Sequence, residues 1–115
     1  MYKVSLAIPI YNVSLFVERA LLSVLNQTYD NIEYLIVDDK GQDDSMDIVH
    51  RIIKDHPRGK DVRIIEHPYN IGLGATRNTA IDNAQGEYLF FMDSDDEIIP
   101  TCIEILVHKM QEHPV

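Results

Sequence analysis

The sequence predicts an α/β fold, an open and mainly parallel sheet with flanking helices, on three observations. Four short apolar runs alternate with four segments of helical spacing, the signature of strand–helix units. Three of the runs are nearly continuous in apolar residues, as parallel strands covered on both faces require. Polar or acidic residues follow the first, second and fourth runs, at places that such a sheet gathers along one edge.

The first strand is expected over residues 4–9. Behind it, Val13, Phe16, Val17, Ala20, Leu21, Val24 and Leu25 recur at three and four residues, with Ser14 as candidate cap. The second strand covers residues 34–37, and Ser45 can cap a helix carrying Val49, Ile52 and Ile53 that ends before Pro57. The third run, residues 62–65, contains Arg63 and precedes Glu66, which suits an edge strand. Residues 75–84 make a shorter helix, with Gly86 as its C′ residue. The fourth strand, residues 88–92, leads to a helix with Pro100 in its first turn and Ile103, Leu106, Val107 and Met110 on one face.

A length of 115 residues fits one domain and suffices for an independent core. At 45% hydrophobic and 25% charged, the chain is ordinary globular material. Ten Lys and Arg against nineteen Asp and Glu leave a net charge of −9. That disfavours nucleic acid and anionic membrane as partners, although a bound cation reverses the balance locally. The single cysteine, Cys102, excludes a disulfide framework and a Cys-based zinc site, and is assigned to packing. No apolar run approaches the ~18 residues of a membrane span, and the N-terminus begins a strand rather than a signal peptide. A cytoplasmic location follows, with the inner face of a membrane as a peripheral alternative.

Nine of the nineteen acids fall in two windows, residues 38–47 and 93–97, each after an apolar run. In Asp93-Ser94-Asp95-Asp96, carboxylates two residues apart can face one small volume, where they repel unless protonated or bridged by a cation. A hard divalent ion such as Mg²⁺ or Mn²⁺ takes oxygen ligands and keeps positions for phosphates. The other reading is a solvated loop leading into the next helix. An EF-hand is disfavoured, because Ile98 stands where its glycine belongs.

Asp38 and Asp39 end a buried strand, where a carboxylate can accept from a ribose hydroxyl or a base N–H. Turn chemistry explains Asp43 and Asp47 better, since Asp43, Asp44 and Ser45 can cap the following helix. In residues 70–78, Gly72-x-Gly74 lacks the third glycine of a dinucleotide fingerprint, because Arg77 stands there. Arg77 either meets a phosphate bidentately or pairs with Asp38 or Asp93. Tyr11, beside Asn12, either packs on a nucleobase or covers the sheet end. The histidines His50, His56, His67, His108 and His113 show no metal-site spacing and read as surface residues.

The blocks 4–12, Leu25-Asn26-Gln27-Thr28-Tyr29, Ile36-Val37-Asp38-Asp39, 70–78, Gly86-Glu87-Tyr88 and Asp93-Ser94-Asp95-Asp96 together resemble family 2 glycosyltransferases of the GT-A fold, over essentially the whole chain. The resemblance implies the Rossmann-like nucleotide-binding half of such an enzyme. It implies Pro9 and Tyr11 bordering the base of a nucleotide-diphosphate sugar, Asp39 bonded to that base with Asp38 beside it, and Arg77 near the donor. Asp93 and Asp95 match the DxD motif: Asp95 would bind Mn²⁺ or Mg²⁺, and Asp93, with Ser94 next to it, would face ribose or metal. Transfer to a glycan or other acceptor hydroxyl would proceed with inversion, in polysaccharide or glycoconjugate synthesis.

Two departures stand out. Asp38-Asp39-Lys40-Gly41-Gln42-Asp43 replaces the usual Asp-Asp-Gly-Ser-x-Asp, so a turn needing φ > 0 at position 40 would be strained. About twenty residues follow Asp96, and Glu104 and Glu112 lie in the closing helix. Residues 1–115 are therefore expected to be the donor-binding part of a longer transferase, with no catalytic base in the chain. A receiver-like regulatory module would need an acid pair after the first strand, where Pro9-Ile10-Tyr11-Asn12 stands. A non-catalytic nucleotide-binding domain is the remaining alternative.

Overall fold

The computed structural model describes residues 1–112, and each apolar run becomes a strand: β1 (Val4–Ile10), β2 (Ile32–Asp38), β3 (Val62–Glu66) and β4 (Tyr88–Phe91). Between and after them lie α1 (Val17–Leu25), α2 (Ser45–Asp55), α3 (Leu73–Asn83) and α4 (Cys102–Glu112), with a 3₁₀ turn over Pro57–Asp61. All strand pairs are parallel, in the order β3-β2-β1-β4. The register pairs Ile10 with Asp38 and Ala7 with Phe91.

Alternation along the strands divides two cores of unequal size. Even-numbered residues of β1 and β2, among them Leu6, Ile8, Ile10, Tyr34 and Ile36, face the main core with α1, α2 and α4. Helix α1 buries Val17, Ala20, Leu21, Val24 and Leu25, the apolar stripe of an amphipathic helix. Each fully buried Val, Leu or Ile contributes about 1.5–3 kcal/mol. Among the described residues the opposite face carries one helix, α3, whose Ala80 packs with Ala7, Leu35 and Val37 of the strands. Moving from β1 outward to β3 puts α1 and α2 on one face, and the return from β3 to β4 puts α3 on the other, as right-handed crossovers demand.

Four local expectations change. Ser14 does not cap α1, which begins three residues later without a side-chain cap; the Ser14 amide instead donates to Asp43 Oδ2 at 3.0 Å. Ser45 is the first residue of α2 rather than its cap. Its hydroxyl donates to Asp43 Oδ1 (2.6 Å) and accepts from the Val13 amide (2.8 Å), tying two turns together. Gly86 lies beyond the α3 cap residue Ala84, and a Cβ there would stand 2.6 Å from Lys3 O. Its glycine is required by close backbone approach rather than by helix termination. Strand β4, as apolar as a buried strand, is half-buried with Phe91 39% exposed, because among the described residues β1 is its one neighbouring strand.

At the edge of the sheet opposite the site, a buried carboxylate joins three segments. Glu33 Oε2 accepts from Ser5 Oγ (2.5 Å) and the Gln85 amide (2.6 Å), and Oε1 lies 3.4 Å from Arg63 Nη2. Burial alone would raise the Glu33 pKa, but the bonds from Ser5 and Gln85 and the Arg63 charge outweigh it and hold it below its ordinary value. Glu33→Ala is expected to lower the unfolding free energy at pH 7 by about 1–3 kcal/mol in urea denaturation, since buried donors lose their acceptor. A carboxylate with a depressed folded-state pKa stabilises above its unfolded pKa and loses that effect as pH falls through the folded value. The wild-type margin over the variant should therefore shrink below about pH 4.3; a margin that stays constant there contradicts the assignment.

Candidate functional site

In the order β3-β2-β1-β4 the chain reverses its direction of travel between β1 and β4. Open α/β sheets place ligands outside the carboxyl ends of their strands at such a point. A crevice lies there, bordered by Pro9 on β1, Asp93 after β4, and Leu73, Thr76 and Arg77 on α3. The Met92 amide donates to Ala7 O (3.0 Å), so continuing the Ala7–Phe91 register brings Pro9 level with Asp93.

The turns after β1 and β2 are bonded to each other. Asn12 Oδ1 accepts from the Gln42 amide at 2.7 Å, and the Asp39 amide donates to Ile10 O at 3.0 Å. Both turns use left-handed backbone at non-glycine residues, Asn12 (φ 52°) and Lys40 (φ 56°). Asparagine tolerates this conformation, whereas lysine carries the ordinary cost of about 1–2 kcal/mol. The strain expected at position 40 is present. Asp38 Oδ1 accepts from the Lys40 amide (2.9 Å), and Lys40 Nζ lies 2.9 Å from Glu66 Oε2 and 3.8 Å from Asp38 Oδ2. Gly41 is needed for clearance, since a Cβ there would meet Asn12 Oδ1 at 2.6 Å and Asn12 N at 2.8 Å.

Asp39, expected to offer its carboxylate to a base, turns inward and is 2% exposed. Its Oδ1 accepts from the Ile71 amide (2.9 Å) and faces His67 Nδ1 (2.9 Å); its Oδ2 accepts from the Gly72 amide (3.0 Å) and Asn70 Nδ2 (2.7 Å). Four donors occupy the roughly four acceptor sites of a carboxylate. Burial alone would raise its pKa, but the bonds from His67, Ile71 and Gly72 outweigh it and hold it below the ordinary aspartate value. Asp38 is also buried.

The second acidic window is arranged differently. The Asp96 amide donates to Asp93 O at 3.1 Å, closing a tight turn that buries Ser94 and leaves Asp93, Asp95 and Asp96 exposed. One carboxylate oxygen from each lies within 4.8 Å of the others. An all-oxygen, open donor set fits a hard divalent ion that retains water or phosphate ligands. Downstream, Gln27 fixes the exit of this turn: its Nε2 donates to Ile99 O (2.7 Å) and its Oε1 accepts from the Ile103 amide (2.9 Å). The Asn-Gln-Thr block thus serves the site through the backbone it holds.

Arg77 is exposed beside Asp93 and engages in no ion pair among the described residues, so the structural-pair reading of this arginine is set aside. Tyr11 stands 46% exposed at the rim. One of the described histidines is not a surface residue. His67 is 5% exposed and contacts Asp39 and Thr79. His56 is half-buried, with its Nδ1 accepting from the Arg58 amide (3.0 Å). His113 lies outside the described residues.

A family model described as "Glycosyl transferase family 2" matches residues 5–115. The chain is 38% identical over its full length to the Escherichia coli UDP-Glc:alpha-D-GlcNAc-diphosphoundecaprenol beta-1,3-glucosyltransferase WfaP, of which it covers 44%. Among solved structures it resembles Staphylococcus aureus TarS 1–349 in complex with UDP-GlcNAc, with a TM-score of 0.86 and 28% identity over 96% of this chain and 32% of that one. It also resembles the Pyrobaculum calidifontis mannosyltransferase PcManGT in complex with GDP-Man and Mn²⁺, with a TM-score of 0.78 and 26% identity over 84% of this chain and 28% of that one. The chain spans 28–44% of the length of the first curated relatives it matches.

The bonded turns give a direct check. Gly41→Ala forces the turns apart, and is expected to cost about 1–3 kcal/mol of stability and to speed hydrogen exchange of the Gln42 amide. Unchanged stability with an unchanged Gln42 amide would show that the close approach is not required.

Proposed function

Because this chain belongs to glycosyltransferase family 2, we propose that it binds the nucleotide-diphosphate portion of a sugar donor in the β1–β4 crevice. It would serve as the donor half of a transferase that moves the sugar to an acceptor hydroxyl with inversion. One observation carries the reading: Asp93 borders the same crevice as Arg77, which makes no ion pair among the described residues, and its carboxylate clusters with those of Asp95 and Asp96, one oxygen from each within 4.8 Å of the others. An arginine and a cluster of cation-ready oxygens at one crevice are what a metal-bound diphosphate requires.

The roles follow from position. Asp95 and Asp93 would hold Mn²⁺ or Mg²⁺, with Ser94 buried beneath them as part of the turn. Arg77 would meet a phosphate oxygen, for which a guanidinium is geometrically suited. Pro9 and exposed Tyr11 would border the base. Asp38 and Asp39 would shape that end of the site from below, since the Asp39 carboxylate is bonded to the turn over residues 70–72. When bound, the divalent ion would neutralise negative charge developing on the departing nucleoside diphosphate.

We assign acceptor activation to no residue of this chain. Glu104 accepts from Thr28 Oγ1 at 2.7 Å and Glu112 lies 3.0 Å from His108; both are on α4, away from the strand ends. The acceptor class we favour is a growing polysaccharide or other glycoconjugate, supported by the lipid-diphosphate-linked sugar in the name of WfaP. Such an acceptor would draw the protein to the inner face of a membrane as a peripheral partner. No helix among the described residues is long and apolar enough to cross one.

Calorimetry with UDP and GDP, each with and without Mn²⁺, tests the reading. Nucleotide binding is expected to depend on the metal, and Asp95→Ala to weaken it more than tenfold, a loss of about 1.4 kcal/mol or more. Asp39→Ala should weaken nucleotide more than it weakens Mn²⁺ alone. Equal binding by wild type and Asp95→Ala would remove the metal role.

A further inference from the structure

We propose that His67, a buried side chain outside the crevice, is a positioning residue for the donor: through Asp39 it sets the turn over residues 70–72, and with it the helix that carries Arg77. The proposal rests on the donor-binding reading above and adds a part to it.

Helix α3 has little apolar contact to hold it. Of its eleven residues only Thr76 and Ala80 are buried, and the core on that face is small, with Ala7, Leu35 and Val37 as the strand contribution. Burial scales with apolar area, so two small side chains leave the seat of the helix weakly determined. Yet the crevice is bordered by this helix through Leu73, Thr76 and Arg77. A shift of α3 moves Arg77 directly, and misplacing a charged contact by about 1 Å is costly to binding and catalysis.

His67 supplies the missing constraint at two points. Its amide donates to Asp38 O (2.9 Å), fixing its own backbone to the end of β2. Its ring faces Asp39 Oδ1 through Nδ1 at 2.9 Å and Thr79 Oγ1 through Nε2 at 2.7 Å. A carboxylate accepts only, so Nδ1 donates to it. Asp39 in turn receives the amides of Ile71 and Gly72, the two residues leading into α3. Gly72, at φ 96°, is the cap residue of the helix. One imidazole therefore grips α3 at its start through Asp39 and again at Thr79, two residues beyond Arg77.

Replacement by two amides separates the two grips. Asparagine can put its amide near the Nδ1 position and keep the bond to Asp39, while glutamine reaches towards the Nε2 position and Thr79. The measurements are Mn²⁺-dependent UDP affinity by calorimetry, Mn²⁺ affinity alone, and hydrogen exchange of the Ile71 and Gly72 amides without ligand. His67→Ala is expected to weaken UDP about tenfold, the order of one lost buried hydrogen bond, and to speed exchange at both amides. Mn²⁺ binding alone should be unchanged. His67→Asn should restore most of both effects, and His67→Gln less.

UDP affinity within twofold of wild type in His67→Ala overturns the proposal while leaving the donor reading intact. So does an equal loss of Mn²⁺ affinity, which would mark general damage. If the alanine variant does not fold, the Asn and Gln variants decide alone, and glutamine equalling or exceeding asparagine overturns the route through Asp39. A wild-type chain that binds no nucleotide removes the donor reading and this proposal together.

Discussion

Parallel strands all release the chain at the same edge of their sheet, and that geometric constraint underlies the rest of this structure. With β1, β2 and β4 side by side or one strand apart, the polar segments that follow them cannot disperse. They become neighbours and must satisfy one another's backbone groups. Asn12 with Gln42, Ser45 with Val13, and Asp39 with Ile10, Ile71 and Gly72 are the bonds that result. Most of the polar chemistry at this edge is thus committed to holding loops in place, and the residues left free are few and adjacent.

The two acidic windows show how one residue type divides between these tasks. Asp38 and Asp39 are buried and Asp43 is exposed, but all three are bonded to amides, hydroxyls or an imidazole. For buried Asp39, with four donors, hydrogen bonding to the charged form exceeds the desolvation cost and holds the pKa below the ordinary aspartate value. Asp93, Asp95 and Asp96 lie in a turn whose own backbone bond uses a carbonyl rather than a carboxylate, so their oxygens remain exposed. A net charge of −9 therefore says little about the site. What matters is which carboxylates have already been used.

Much of this was legible in the sequence, and the failures have physical causes. The apolar period of α1 named its buried face, and Arg63 with Glu66 marked β3 as an edge. Strand β4 was misread as buried because apolar composition reports potential burial, while neighbour number is a property of the assembled sheet. Ser14 and Ser45 looked like caps from local spacing, but each found a partner from another turn. The strain at Lys40 was readable as a departure from a family pattern, whereas the clearance required at Gly41 depends on Asn12, some thirty residues away in the chain. His67 was invisible because a histidine's burial is decided by tertiary partners; Asp39 and Thr79 are 28 and 12 residues distant.

The central claim is that the exposed acids after β4, rather than the bonded acids after β2, form the cation end of a nucleotide site beside Arg77. Paramagnetic broadening by Mn²⁺ of assigned amide resonances tests it most directly. The expected result is signal loss centred on residues 92–97 at low metal, reaching the first turns of α3 and growing sharper in its boundaries when UDP is added. Broadening centred instead on residues 38–47, or spread evenly over the acidic surface, would contradict the account.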